Sequence, residues 1–257
     1  MKRLVISLMV CVVGPASAQH VAILYDAGMP TLGLNDGPGF ANLLVQSLQN
    51  KGVTAKVVNN AGLAEYMKAN REGVMLVCQG IMPGTIFQNR GKDDLVYSWL
   101  REGGIGGFVG DYPFYYWDNT GNVAGGGGQR SVFGATVTNG TVATVSPTDK
   151  GKKIIPSLGK WTTNRPVGLA ALQNNGFEFE SYADDGTNAD PIIYRTKDMK
   201  GWFVNFHTSC CGTAVPPNEQ MAKEYAELIS NRFPPKARAV DPRGRLATTW
   251  GRVRSWR

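Results

Sequence analysis

Four side chains with chemical potential stand at or just beyond the ends of apolar runs. Asp26 follows Val21-Ala-Ile-Leu-Tyr25 and Cys78 closes Val74-Met-Leu-Val. Asp111 follows Ile105-Gly-Gly-Phe-Val-Gly110, and His207 follows Trp202-Phe-Val-Asn-Phe206. A carboxylate can hold a ligand hydroxyl or activate water, a thiol attacks once ionised, and an imidazole titrates near neutrality as a general base. Beyond Asp111 come Tyr112, Phe114, Tyr115, Tyr116 and Trp117, whose ring faces suit stacking against a sugar or peptide. Each has a plainer role as well. Asp26 before Ala-Gly suits a turn or cap, and Cys78 suits a small buried hydrophobe or disulfide partner. His207 suits a structural contact, and the aromatic cluster suits packing over a sheet end.

The chain has two histidines and four cysteines, with no CxxC and no HExxH. We expect no dedicated metal site, since zinc needs a set of His, Cys or carboxylate ligands at workable spacing, and no bound cofactor. With Cys11 in the leader described below, Cys78, Cys210 and Cys211 remain. This odd number leaves open a bridge from Cys78 to either neighbour of the pair, with one thiol free.

The elements that must position these residues alternate. Val21 to Tyr25, Thr54 to Val58, Val74 to Cys78 and Ile105 to Val109 read as strands, the continuous apolar ones as strands buried on both faces. Between them, Phe40 to Lys51, Ala61 to Asn70 and Asp93 to Glu102 carry apolar residues at helical spacing, with glycine after the first and third. Such alternation requires crossover units and a mostly parallel, doubly wound α/β sheet of flavodoxin-like type. From about 130 to 206 the pattern becomes an antiparallel excursion. Gly125 to Gly128 reads as a flexible run, and Asn139-Gly140 as a type I′ hairpin turn within Val132 to Val145. Strands at Phe177 to Tyr182, Ile192 to Arg195 and Trp202 to Phe206 follow, then a closing helix from Asn218 to Phe233 that presents Met221, Tyr225, Leu228 and Ile229 on one side.

Open parallel sheets bind ligands beyond the carboxyl ends of their strands. That rule selects Asp26, Gly80, Asp111, Tyr112, Phe114 and His207 as candidate ligand-binding residues on one rim, and Asp111, His207 and Cys78 as the candidates for catalysis.

The first residues have the plan of a bacterial-type signal peptide: Lys2 and Arg3, an apolar run from Leu4 to Val13, then Ala16-Ser-Ala18. Cleavage near Ala18 makes the mature protein secreted or periplasmic, with no transmembrane segment expected. The formal charge is +7. Lys2 and Arg3 contribute +2 and residues 236–257 carry +6, which leaves −1 on residues 19–235. The basic character therefore belongs to a tail, and no nucleic-acid partner is expected of the nearly neutral domain over 19–235.

The stretches Val74-Met-Leu-Val-Cys-Gln-Gly80-Ile-Met-Pro83 and Gly103-Gly-Ile-Gly-Gly-Phe-Val-Gly-Asp111 resemble the class I glutamine amidotransferase-like superfamily, including its flavodoxin-like ThuA-like and β-galactosidase trimerisation-type accessory domains. The resemblance implies a cysteine nucleophile on the turn after a central strand, with a histidine and a glutamate from the closing strand. Here Asp111 stands at the turn where the thiol is expected, and Ser209 lies two residues after His207 where the glutamate would be. A carboxylate at that turn cannot form an acyl-thioester, so glutamine hydrolysis is not expected.

Three functions follow. The first is an exported, non-catalytic domain that binds a small molecule, glycan or protein through the rim. The second is an exported hydrolase in which Cys78 or an Asp111-activated water works with His207, which requires one of them close to the imidazole. The third is a structural or assembly module that docks to another chain through the arginine-rich tail and its tryptophans, with an oligomer possible.

Overall fold

The computed structural model describes residues 20–32, 37–118, 120–211 and 215–234. The expected leader, residues 1–18, and the basic tail, residues 236–257, lie outside the described residues.

Strand β1 (His20–Leu24) leads into helix α1 (Gly37–Asn50), β2 (Thr54–Val58), α2 (Asn60–Ala69), β3 (Val74–Val77), α3 (Leu95–Glu102) and β4 (Ile105–Gly110). A small hairpin follows, β5 (Tyr116–Trp117) and β6 (Asn122–Val123), then α4 (Gly126–Phe133), β7 (Ala143–Pro147) and α5 (Asp149–Ile154). Next come β8 (Trp161–Thr163), β9 (Val167–Gly168), α6 (Leu169–Asn174), β10 (Glu178–Ser181), β11 (Ala183–Asp184) and β12 (Asn188–Ala189). β13 (Ile192–Arg195), β14 (Trp202–Thr208) and α7 (Asn218–Arg232) close the described chain.

The main sheet runs β10-β13-β14-β4-β3-β1-β2. β2, β1, β3, β4 and β14 pair in parallel, while β13 and β10 add antiparallel strands on the β14 side. Counted along the chain, the five parallel strands have the order 2-1-3-4-5 of flavodoxin-like folds. The fold is therefore the doubly wound, mostly parallel α/β class that the alternation of elements requires.

Period-two alternation within each strand divides the side chains between two helical layers. Val21, Ile23, Val74 and Leu76 pack with Phe40, Leu44 and Leu48 of α1 and with Met221, Tyr225 and Leu228 of α7. Ala22, Leu24, Met75, Val77 and Phe108 pack with Leu63 and Met67 of α2 and with Val96, Trp99 and Leu100 of α3. Fully burying one such aliphatic or aromatic side chain contributes about 1.5–3 kcal/mol.

Two local expectations are corrected in the excursion. Gly126 to Gly128 is the first turn of helix α4 and not a flexible run, and Gly128 is glycine because a Cβ there would collide with the backbone carbonyl of Phe114. Asn139-Gly140 makes no type I′ turn, which needs positive φ at both central residues, and neither has it. Asn139 instead donates from its backbone to Pro166 O and from its side chain to Asn188 Oδ1. The excursion forms a second, antiparallel sheet in the order β8-β7-β11-β12-β9.

Candidate functional site

Beyond the end of β1, Asp26 is held as a turn residue. Its Oδ1 accepts from Gly28 N (2.9 Å) and its Oδ2 from Asn60 N (3.1 Å) at the start of α2. The side chain of Gln79, fully buried past the end of β3, accepts from Asp26 N at 2.7 Å and donates to Asp26 O and Met29 O. Leu32 N donates to Gln79 O, and Leu32 O lies against the α-carbons of Gly80 and Gly110, which have φ of 70° and 112°. Only glycine accepts both that backbone and that proximity. Gly80 is therefore part of a sealed junction between β1, β3 and β4.

At the other end of the rim, β4 and β14 bring polar groups together. Asp111 Oδ1 accepts from its neighbour's Tyr112 N (2.7 Å) and from Arg165 Nε (2.9 Å); the side chains of Arg165 and Asp111 are 18% and 7% exposed. The Arg165 guanidinium lies 4.5 Å over the Tyr112 ring, donates to Asn164 O through Nη1 and contacts Cys210 Sγ through Nη2. Asn164 itself exchanges hydrogen bonds with the Cys210 backbone, accepting from N and donating to O. Ser209 N donates to Gly110 O at 2.7 Å, joining the turns that follow β4 and β14.

Cys210 and Cys211 form a disulfide between adjacent residues, and Cys78 is a free, fully buried thiol. The expected choice of a bridge from Cys78 is thereby overturned: Cys78 points into the core, and burial pushes its thiol well above the ordinary range. One oxygen of Asp111 and the two sulfurs lie within 4.8 Å of one another. That set could ligate a metal only as thiolates; here the sulfurs are bonded to each other and the cation beside them is Arg165.

His207 faces the opposite way. β14 loses register against β4 between Asn205 and Thr208, and His207 has φ of 50°, a left-handed backbone unusual outside glycine. This bulge breaks the side-chain alternation, a common device next to sites, and turns both Phe206 and His207 towards α7. The ring is 1% exposed, 4.5 Å from Trp161 and 4.6 Å from Phe206 between centroids. Its Nε2 lies 2.6 Å from Glu224 Oε2, and its Nδ1 has no hydrogen-bond partner among the described residues. The freed backbone donors of the bulge go to Asp190, which accepts from His207 N (2.8 Å), Thr208 N (2.7 Å) and Thr208 Oγ1 (2.8 Å). Burial pushes the Asp190 carboxyl up to about 6, while His207 and these donors pull it down.

The structure thus gathers Asp111 and Tyr112 at the rim, holds Asp26, half-buried, and Gly80, buried, at the β1–β3 junction, and buries Phe114 among Phe87, Phe133 and Phe203. Neither Asp111 nor Cys78 hydrogen-bonds the His207 imidazole. Arg165, Asp190, Glu224 and the Cys210–Cys211 bond belong to the site without any motif that marks them. Glu224 alone left a trace in the sequence, a carboxylate at helical spacing inside the apolar stripe of Met221, Tyr225 and Leu228.

Fold and rim define a flavodoxin-like α/β protein with a charged, sulfur-bearing edge. No protein-family model matches the chain and no curated protein matches it. Among solved structures it is similar to a protein from Bacteroides uniformis described as ThuA-like, at 12% identity and TM-score 0.44, over 84% of this chain and 94% of that one. It is also similar to a protein from Thermoplasma acidophilum described as one of the subunits of a GMP synthase, at 10% identity and TM-score 0.37, over 93% and 98%.

Proposed function

We propose that this chain is an exported binding protein that holds a hydroxylated small molecule, a glycan unit above all, on the rim formed by the ends of β4 and β14, without turning it over. The observation that carries the reading is the state of Asp111. Its Oδ1 is fixed by Arg165 and Tyr112 N, whereas its Oδ2 has no donor among the described residues. A carboxylate oriented by a guanidinium, with one acceptor oxygen left over, suits a ligand hydroxyl and gives a charge-assisted hydrogen bond. Beside it the rings of Tyr112, one face of which lies under Arg165, and Tyr115, 5.5 Å away, are only partly buried and offer apolar surface to a sugar ring.

The hydrolase alternative draws less support. It needs a thiolate or activated water beside an accessible imidazole, yet Cys78 is buried as a thiol and His207 is enclosed with Glu224, Trp161 and Phe206. Of the described residues, no helix is long and apolar enough to cross a membrane.

The test is a calorimetric titration of mono- and oligosaccharides into the mature protein and its Asp111→Asn and Asp111→Ala variants. Binding should fall about tenfold or more when the carboxylate goes, the value of a charged hydrogen bond. Binding unaffected by either substitution, or release of product from a bound glycan, would sink the reading.

A further inference from the structure

A disulfide stabilises mainly by closing a loop of the unfolded chain, and more so for longer loops. Cys210 and Cys211 are adjacent, so their bond closes the smallest ring a cystine can and contributes almost nothing by that route. A reason for the bond should therefore be sought in its chemistry. Its surroundings are asymmetric. Cys211 is exposed, with φ of 62°, while Cys210 is 5% exposed and has its sulfur against Arg165 Nη2. The same guanidinium reaches towards Cys211 Sγ at 3.7 Å.

We infer that Cys210–Cys211 is a thiol–disulfide exchange site, opened by an external monothiol of the glutathione class, with Arg165 stabilising the departing thiolate. The external thiolate attacks Cys211 Sγ, the accessible sulfur, and forms a mixed disulfide there. The Sγ–Sγ bond breaks, and its electron pair leaves on Cys210 Sγ as a thiolate beside the guanidinium. A second external thiolate attacks the external sulfur of the mixed disulfide and releases Cys211 as a thiolate. Two external thiols are oxidised to their disulfide, the cystine takes up two electrons, and the two protons given up by the external thiols end on the Cys210 and Cys211 sulfurs or in solvent.

This direction follows from which sulfur is accessible and which makes the better leaving group. Thiol exchange speeds up as the leaving thiol's pKa falls, and a neighbouring arginine lowers a cysteine's pKa. Of the two sulfurs, only Cys210 combines burial with direct guanidinium contact, and the Asp111 carboxylate lies within 4.8 Å of both and so does not select between them. Reduction also frees Cys211 from the bond that helps hold it in a left-handed backbone, so the redox state reaches the main chain beside Asp111 and Arg165. The exchange shares the rim with the proposed binding site but does not depend on it: either can fail while the other holds.

The experiment uses the air-oxidised full mature chain, reduced by glutathione in native buffer, quenched with N-ethylmaleimide and mapped by tandem mass spectrometry. We expect the starting peptide to be lighter by two hydrogens, the trapped glutathione adduct on Cys211, and both sulfurs labelled at the end point with Cys78 unlabelled. Arg165→Leu should slow reduction about tenfold, because the departing thiolate loses its neighbouring cation, and Arg165→Lys should restore part of the rate. Unlabelled Cys78 reports that each variant is folded; should Arg165→Leu unfold, the position of the adduct in the unmodified protein decides. Free thiols at 210 and 211 in the oxidised protein, an adduct on Cys210, reduction only in denaturant, or an unchanged rate in a folded Arg165→Leu would each overturn the inference.

Discussion

The β1–β3 junction and the β4–β14 edge are both carboxyl ends of the same parallel sheet, and they are finished differently. At the first, where strand order reverses and a flavodoxin-like fold offers a crevice, Gln79 is consumed by the backbone of the β1–α1 loop and Leu32 lies on two glycines. At the second, Arg165 is gathered from the excursion onto Asp111 and a cystine, with Arg165 and Cys211 reachable from solvent and Asp111 and Cys210 buried. One end has its polar groups satisfied inward. The other keeps an oriented carboxylate with an oxygen to spare. A topological rule selects an edge of a sheet; which part of that edge remains open depends on the hydrogen bonds of the loops that land there.

The deepest way to break that contrast is to remove the support beneath the open end. Asp190→Ala leaves two backbone N–H groups of the β14 bulge, both fully buried, without their acceptor, while the Thr208 hydroxyl keeps Arg165 O. Each unsatisfied buried donor costs about 1–3 kcal/mol, so we expect a loss of about 3–5 kcal/mol in urea unfolding, with the rim's exchange and binding lost together. A pH effect accompanies it. Because the folded carboxyl titrates at about 6 against an ordinary 3.8, the folded state binds the proton more tightly than the unfolded chain. That contribution to stability is complete below the unfolded value and is lost as pH rises through the folded one. Asp190→Asn, which cannot titrate, should flatten the decline in stability between those two values; an equally steep decline in the variant would assign the slope to another group.

Next in size is the sealed junction. Gly80→Ala puts a Cβ against Leu32 O at a positive φ, and we expect about 2–4 kcal/mol of destabilisation. Gln79→Ala removes three hydrogen bonds to the β1–α1 loop and should cost about 1–3 kcal/mol. In both variants glutathione should reduce Cys210–Cys211 at the unmodified rate while the fold persists. A rate change of more than about threefold would show that the two ends are coupled and that the contrast is drawn too sharply.

What the sequence conveyed and what it withheld separate along the same line. β1, β3 and β4 are continuous apolar runs because both faces of each are covered by helices, so their presence and their parallel arrangement are readable from composition alone. The rim is assembled by long-range contacts that leave no local pattern: Arg165 meets Asp111 across 54 residues, and Cys210 across 45. His207 reads as an accessible base because a regular strand would carry alternation through it; the bulge reversed its face, and the carboxylate that receives it comes from α7 and not from Ser209's position. Gly126 to Gly128 misleads for a related reason, since glycine chosen for a close approach to Phe114 looks the same in sequence as glycine chosen for flexibility.

The smallest effect on the fold should come from the residue most exposed to a ligand, and it separates the two ends most cleanly. Tyr112 lies under the Arg165 guanidinium and beside Tyr115, but its ring is only partly buried. An exposed cation–π contact contributes about 0.5–1 kcal/mol, and Asp111 keeps its ion pair with Arg165 when the ring is gone, because Tyr112 meets Asp111 through its backbone N–H. Tyr112→Ala should therefore lower the unfolding free energy measured in urea by no more than about 1 kcal/mol while weakening saccharide binding about tenfold, through loss of apolar ring surface. Tyr112→Phe retains the face and should bind nearly as well as the unmodified protein. Equal loss in the two variants would move the recognition from the ring to the hydroxyl, and unchanged affinity in both would remove the aromatic cluster from the site and leave Asp111 to hold the ligand by itself.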